Sequence, residues 1–313
     1  MKVLVSDKIA EEGVEEFAKY SGIEVTVKTG MEPDELLKTI SDYDALVVRS
    51  ATKVTREVIE AGEKLKVVGR AGAGVDNIDL EAASKHNVLV MNTPGGNAEG
   101  AAELAISLMF ATARNIARAD ATMKEGKWEK KKLQGVELAG KKLGIIGIGF
   151  VGSIVGKRMK AFGMDVSAYD PYYSAEKATK LGIRLTTLDD VLANSDFITV
   201  HVPRNKETEG MINREVFGKM KEGVYFINCS RGGIVVEADL LDALDSGKVA
   251  AAGIDVYSKE PPEDLALVKH PRVTATPHIG ASTREAQINV ALMIARQIGE
   301  FLTTGKVVNA VNR

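Results

Sequence analysis

Gly147, Gly149 and Gly152 form a G-x-G-x-x-G turn directly after the apolar run Leu143-Gly144-Ile145-Ile146, and Asp170 closes the next strand-like run, Asp165 to Tyr169. A strand, a glycine turn, a helix over 151–162 and a second strand ending in a carboxylate is the pattern of a dinucleotide site. Each residue type has a physical task there. Gly147 permits the tight turn, Gly149 lets a pyrophosphate approach the main chain, and Gly152 lets the helix pack on the sheet. The N–H groups of the first helical turn, at Phe150 and Val151, then face the phosphates. A carboxylate at position 170 accepts hydrogen bonds from an adenosine ribose and repels a 2′-phosphate, which favours NAD over NADP.

Ligands of open α/β sheets lie beyond the carboxyl ends of the strands, so polar residues just after strands carry the chemistry. Three stand out. Arg231 follows the run Val224 to Cys229 and precedes Gly232-Gly233; its planar guanidinium suits bidentate capture of a carboxylate. His278 follows Thr276-Pro277 after another strand, and an imidazole is the side chain best matched to moving a proton near neutral pH. Glu260, in the loop Ser258 to Pro262, is a carboxylate that could fix the tautomer of such a histidine. Asp255 closes the strand Ala251 to Ile254 and could accept from a nicotinamide amide or make only a local turn contact. His201 ends the strand Ile198-Thr199-Val200 and reads as a strand-end residue near the ligand; His86 and His270 read as surface positions. Cys229, the sole cysteine, excludes internal disulfides and a cysteine-rich metal site, and reads as a buried structural thiol.

The elements that must position these groups are those of an α/β protein. Short β-branched runs (3–5, 25–27, 45–48, 67–68 and 88–90) alternate with amphipathic segments before the glycine turn, and the alternation continues through 197–202, 225–229, 251–256 and 273–275. A chain of 313 residues with 45% hydrophobic content predicts two lobes. The sequence predicts a discontinuous substrate-binding domain, residues 1–92 plus 283–313, and a Rossmann NAD-binding domain over 93–282. One long helical pattern runs from Glu99 to Lys124, apolar nearly all round at its centre, and a last helix starts with Ser282 as its N-cap. The net charge of −2, with charges interspersed, advertises neither nucleic acid nor lipid and fits a small-molecule partner. No apolar run approaches the roughly 20 residues of a membrane span. Met1 to Val5 leads into Ser6-Asp7 without a signal-peptide core, which predicts a cytoplasmic protein.

Taken together, these segments resemble the D-isomer-specific 2-hydroxyacid dehydrogenases over essentially the whole chain. The resemblance rests on Leu143 to Asp170, on Ile227 to Gly233, on Gly253 to Val256 with Glu260-Pro261, and on Thr276-Pro277-His278-Ile279-Gly280. It implies two Rossmann-like or flavodoxin-like lobes with parallel sheets and an active-site cleft between them, with Arg231, Glu260 and His278 as the catalytic set. It extends the cofactor lining to Val202, Cys229, Asp255, His278, Gly280 and Ala281, with Ala73 from the first lobe. The segments 48–55, 69–77 and Asn92-Thr93-Pro94 are similar to members that oxidise 3-phospho-D-glycerate at the start of serine synthesis. Arg49 and Arg70, each ending a strand, would then bind the substrate phosphate, with Gly72 beside them and Arg231 on the carboxylate. Lys130-Lys131-Lys132 could assist from a neighbouring subunit, or be only a solvated face. A homodimer through the NAD-binding domain is implied. Phe150 stands where the family often has Arg, and Ala73 and Val202 where some members have Thr, which removes side-chain contacts to the pyrophosphate but not those of the main chain. The chain stops at Arg313, from which neither a C-terminal regulatory domain nor feedback by serine is expected. Two alternatives are another reaction of the family, reduction of glyoxylate or hydroxypyruvate, and a nucleotide-sensing corepressor-like binding protein.

Overall fold

The alternation of β-branched runs with amphipathic segments becomes two all-parallel sheets in a computed structural model that describes residues 1–313. The chain divides into two compact units, Met1–Asn97 with Ser282–Arg313, and Ala98–Ala281.

The first unit begins β1 (Lys2–Val5), α1 (Glu11–Glu16), β2 (Glu24–Val27), α2 (Pro33–Thr39), β3 (Ala45–Val48), α3 (Arg56–Ala61), β4 (Val67–Arg70), α4 (Leu80–Lys85), β5 (Leu89–Met91). The second unit follows with α5 (Ala98–Ala113), α6 (Ile116–Lys124), β6 (Lys142–Ile146), α7 (Phe150–Ala161), β7 (Asp165–Tyr169), α8 (Ala175–Lys180), β8 (Arg184–Leu185) and α9 (Leu188–Asn194). It continues through β9 (Phe197–Val200), α10 (Arg214–Lys219), β10 (Val224–Asn228), α11 (Glu237–Ser246), β11 (Val249–Ile254), α12 (Ala266–Lys269) and β12 (Val273–Ala275). The last helix, α13 (Arg284–Thr304), returns to the first unit.

In the first unit the strand order is β2-β1-β3-β4-β5, the doubly wound order of flavodoxin-like sheets. Both faces are covered, so β3 is buried along its whole length. Side chains alternate between the layers: Val3 and Val5 pack with Val290, Ile294 and Ile298 of α13, whereas Leu4 joins Leu36 and Ile40 on the other face. Each such fully buried aliphatic side chain is worth about 1.5–3 kcal/mol. α13 can lie this close because β4 carries Gly69, where a Cβ would stand 2.4 Å from the Cδ1 of Ile298. The helix is N-capped by Thr283, whose Oγ1 accepts from the Ala286 N–H at 3.1 Å, one residue later than the cap expected at Ser282.

In the second unit the order is β12-β11-β10-β9-β6-β7-β8, a Rossmann arrangement whose chain direction of building reverses between β6 and β9. Leu143 and Ile145 face one apolar layer with α5 and α7, and Ile146 faces the other with Ile198 and Phe226. The single helix expected over 99–124 is instead two. Asn115 adopts the left-handed conformation at φ +53°, and the Ala113 carbonyl accepts from the Val136 N–H at 2.9 Å instead of continuing the helix. α5 is buried at eight positions, from Ala98 to Ala113, while α6 buries none. No helix is long and apolar enough to cross a membrane.

Candidate active site

The loop between β6 and α7 has the shape its glycines permit. Gly147 sits at φ +91°, and a Cβ there would stand 2.7 Å from the His201 carbonyl oxygen and from the Val202 Cγ1. At Gly152 a Cβ would lie 2.1 Å from the carbonyl oxygen of Gly147, so the helix rests on the turn itself. Gly149, the N-cap of α7, differs: a Cβ would meet nothing, and no side chain caps the helix. Open space against uncapped helical N–H groups is what a pyrophosphate requires. Phe150 is exposed and Val151 half-buried beside it. Asp170 stands at the end of β7, where Oδ2 accepts from the Ile148 N–H at 3.0 Å and Oδ1 from the Tyr172 N–H at 2.9 Å. The half-buried carboxylate therefore holds the turn and keeps lone pairs for ribose hydroxyls. Open glycine, free helix terminus and strand-end carboxylate together fit a dinucleotide. Val202 lies just past β9, and burial pushes the neighbouring His201 imidazole down to about 4, so it is neutral at physiological pH.

Three loops, at the ends of β10, β11 and β12, carry Arg231, Glu260 and His278. At the end of β10 the buried Asn228 accepts on Oδ1 from both the N–H and the hydroxyl of Ser230, at 3.0 and 2.7 Å, shaping the turn that carries Arg231. Arg231 donates from Nη1 to the Ser230 carbonyl at 2.7 Å. The next residue, Gly232, packs main chain to main chain: a Cβ would lie 1.6 Å from the carbonyl oxygen of Tyr257. The arginine turn thus abuts the loop that leads to Glu260.

Glu260 is held at both oxygens. Oε1 accepts from the Tyr257 N–H at 3.0 Å, and Oε2 is 2.6 Å from Nδ1 of His278. A carboxylate at Nδ1 selects the tautomer protonated there and leaves Nε2 as the lone-pair nitrogen, the one able to accept a proton from a ligand. His278 is also fixed through its main chain. It adopts φ +52°, unusual for a residue with a Cβ, and donates its N–H to the Asp255 carbonyl at 2.8 Å. The Asp255 carboxylate, 1% exposed, accepts from the Thr276 hydroxyl and the Ile279 N–H on Oδ1, at 2.7 and 2.8 Å, and from the Gly280 N–H on Oδ2 at 2.9 Å. The Asp255 carboxylate thus makes a local turn contact, and its consequence is the placement of His278. Ala281 follows at the end of this turn. Cys229 is buried, and burial with the nearby Asp255 charge pushes its thiol well above the usual range, which suits packing rather than nucleophilic attack.

In the first unit Arg49 lies just past β3 and Arg70 ends β4. Nε of Arg70 donates to the Arg49 carbonyl at 3.3 Å. Gly72 leaves the room that guanidinium occupies: a Cβ would stand 1.8 Å from Nη1 of Arg70. The Ala73 carbonyl accepts from the Asn92 amide at 2.6 Å, which ties the loop to the end of β5. Lys130, Lys131 and Lys132 form one exposed turn in which Lys132 pairs with Glu129 at 2.8 Å. His270 lies by Asp245 at 3.4 Å, and His86 stands at the end of α4. Asn228 and Tyr257 were not singled out from the sequence. An Asx turn was legible in Asn228-Cys229-Ser230, whereas Tyr257 acts through its main chain, which leaves no mark in side-chain type.

Residues 106–280 match the family described as D-isomer specific 2-hydroxyacid dehydrogenase, NAD binding domain. The chain is similar along its whole length to the D-3-phosphoglycerate dehydrogenase of Archaeoglobus fulgidus, with 54% identity over 313 residues, which cover 59% of that protein. It thus spans about three fifths of the length of the curated relatives it matches. Among solved structures, cofactor(NAD+)-bound 3-phosphoglycerate dehydrogenase of Entamoeba histolytica superposes with a TM-score of 0.85 at 33% identity, covering 100% of this chain and 99% of that one. A glyoxylate reductase from Paecilomyes thermophila superposes with a TM-score of 0.90 at 29% identity, covering 99% and 98%.

Proposed function

We propose that this chain, which belongs to the D-isomer specific 2-hydroxyacid dehydrogenase family, oxidises 3-phospho-D-glycerate to 3-phosphohydroxypyruvate with NAD. The observation that carries this reading is the 2.6 Å contact between Nδ1 of His278 and Oε2 of Glu260, in the unit that also holds the glycine turn. Arg231 takes the C1 carboxylate and polarises the C2 oxygen. Nε2 of His278 accepts the C2 hydroxyl proton as the C2 hydride departs, and Glu260 stabilises the imidazolium that forms. Bound NAD supplies the hydride acceptor. Arg49 and Arg70 hold the phosphate, a choice supported by the identity to the archaeal relative along the whole chain. Because oxidation releases a proton, alkaline conditions favour this direction.

The likeness to a glyoxylate reductase supports a second reading, in which the same residues reduce an unphosphorylated oxo acid. Initial rates of NADH formation with 3-phospho-D-glycerate, D-glycerate and D-lactate separate the two. Preference for the phosphorylated acid supports the first reading, and turnover only in reverse with glyoxylate or hydroxypyruvate overturns it. Turnover by the isolated protein also excludes a pure corepressor-like role.

The cytoplasm is the location proposed with this reaction. A homodimer through the second unit is proposed with it, because α6 exposes Ile116 and Met123 and is followed by Trp128 at 78% exposure. Light scattering of the purified protein tests it, and a monomer at micromolar concentration removes it.

A further inference from the structure

The loop that follows β3 is shaped by two side chains from elsewhere in the first unit. The Asp7 carboxylate, 6% exposed just beyond β1, accepts from the Arg49 N–H at 2.6 Å, from the Thr52 N–H at 3.0 and 3.1 Å, and from the Thr52 hydroxyl at 2.6 Å. That hydroxyl also lies 3.0 Å from Ser6 Oγ, which closes the network on the β1 side. From the opposite direction Asn77 donates its amide to two carbonyls, those of Arg49 at 3.0 Å and Thr52 at 2.7 Å. Main-chain donors and acceptors at both ends of the loop are thus taken by one buried carboxylate and one amide, and the tip, Ser50 and Ala51, is exposed.

The Arg49 side chain that leaves this loop is half-buried, and desolvation lowers its pKa while the Asp7 charge opposes the shift. A guanidinium stays protonated regardless, so it is a partly desolvated cation. Asp7 spends its oxygens on main-chain N–H groups and a hydroxyl, so its charge reaches Arg49 without a direct ion pair. A cation held this way is suited to an incoming anion, and the geometry with which it meets that anion is set by its main chain.

We propose that Asp7 and Asn77 are positioning residues which, with Thr52, fix the 49–52 loop and so aim Arg49 at the phosphate of the substrate. This rests on the phosphate assignment of the preceding reading. A fixed loop lowers the ordering cost of binding, so the contribution lies in affinity for the phosphorylated acid rather than in the proton and hydride steps.

Steady-state kinetics of Asn77→Ala, Thr52→Val and Thr52→Ser, each with 3-phospho-D-glycerate and D-glycerate, test the proposal beside Arg49→Ala. In Asn77→Ala and Thr52→Val the preference for the phosphorylated acid should fall at least about tenfold, with the loss in KM rather than kcat. Thr52→Ser, which keeps the hydroxyl that Asp7 accepts, should retain the preference although it packs less well than valine; a purely structural role predicts the reverse order. Should Asn77→Ala not fold, the Thr52 pair decides alone. Equal losses on both acids, a loss confined to kcat, or wild-type kinetics overturn the inference. If Arg49→Ala itself leaves the phosphate preference intact, the phosphate assignment fails; if Arg49→Ala abolishes the preference and the loop variants do not, only the positioning role fails.

Discussion

Gly152 of α7 and the carbonyl of Gly147 are so close that a Cβ at position 152 would lie 2.1 Å from that oxygen, and the atom it would meet is main chain, unable to swing aside. Gly152→Ala should therefore push the helix off the glycine turn. Overpacking of this kind costs about 1–3 kcal/mol. NADH affinity should drop by more than the stability loss alone explains, because the displaced element carries the N–H groups that meet the phosphates. Fluorescence titration with NADH, alongside urea denaturation, reads both quantities. A variant with wild-type NADH affinity would show that the turn does not bind the cofactor.

Glu260 and His278 are joined at 2.6 Å, with Glu260 held on its other oxygen by the Tyr257 N–H. Glu260→Gln preserves size, but an amide whose oxygen still accepts from the Tyr257 N–H turns its NH2 towards Nδ1, which favours the tautomer protonated on Nε2, and it also removes the charge that stabilises an imidazolium. We expect kcat to fall by about one to two orders of magnitude with KM little altered, while His278→Ala should lose about two to four orders and still bind NADH. Comparable kcat values for Glu260→Gln and the parent protein would leave the carboxylate without a role in proton transfer.

The strand runs, the glycine turn and the residues just past the strands could be read from the sequence because each depends on local pattern: alternation of β-branched residues, glycine spacing, a carboxylate closing a strand. The break at Asn115 could not. Good helix formers continue on both sides of it, and the Ala113 carbonyl is instead taken by the Val136 N–H, 23 positions away in the chain. The same holds for the turn around Asp255, since nothing in the residue's type announces that Thr276, Ile279 and Gly280 converge on its carboxylate. Asp7 and Asn77 were invisible for the same reason, since their partners lie 42 to 45 and 25 to 28 residues away.

Cys229 follows β10 directly with a buried thiol whose pKa burial raises well above the usual range. The thiolate is the nucleophile that attacks a disulfide reagent and expels its chromophore, so the folded protein should resist labelling at mildly alkaline pH and react with one equivalent of reagent once denatured. Labelling is followed by absorbance of the released chromophore. Rapid stoichiometric reaction of the native protein would contradict a packed thiol and return Cys229 to consideration as a reactive group.

His201 gives the protein a pH-dependent stability whose sign is fixed by burial. Its folded-state value is pushed down to about 4 from an ordinary 6.5. Above the ordinary value both folded and unfolded chains hold the ring neutral, and the site costs nothing. As pH falls through 6.5 the unfolded chain gains a proton that the folded one refuses, so stability declines by up to about 1.4 kcal/mol per pH unit until the folded ring also titrates. Carboxylates held low by partners, such as Asp196 beside Lys142 and Lys221, act in a separate window at still lower pH. Urea denaturation of the parent protein and of His201→Asn between these two values isolates the histidine term. The parent should lose stability progressively while the variant changes less, and the Thr199 hydroxyl, 3.0 Å from Nε2, keeps a polar partner in either case. Parallel slopes for the two proteins would mean that the ring is solvated in the folded state and that burial does not set its charge.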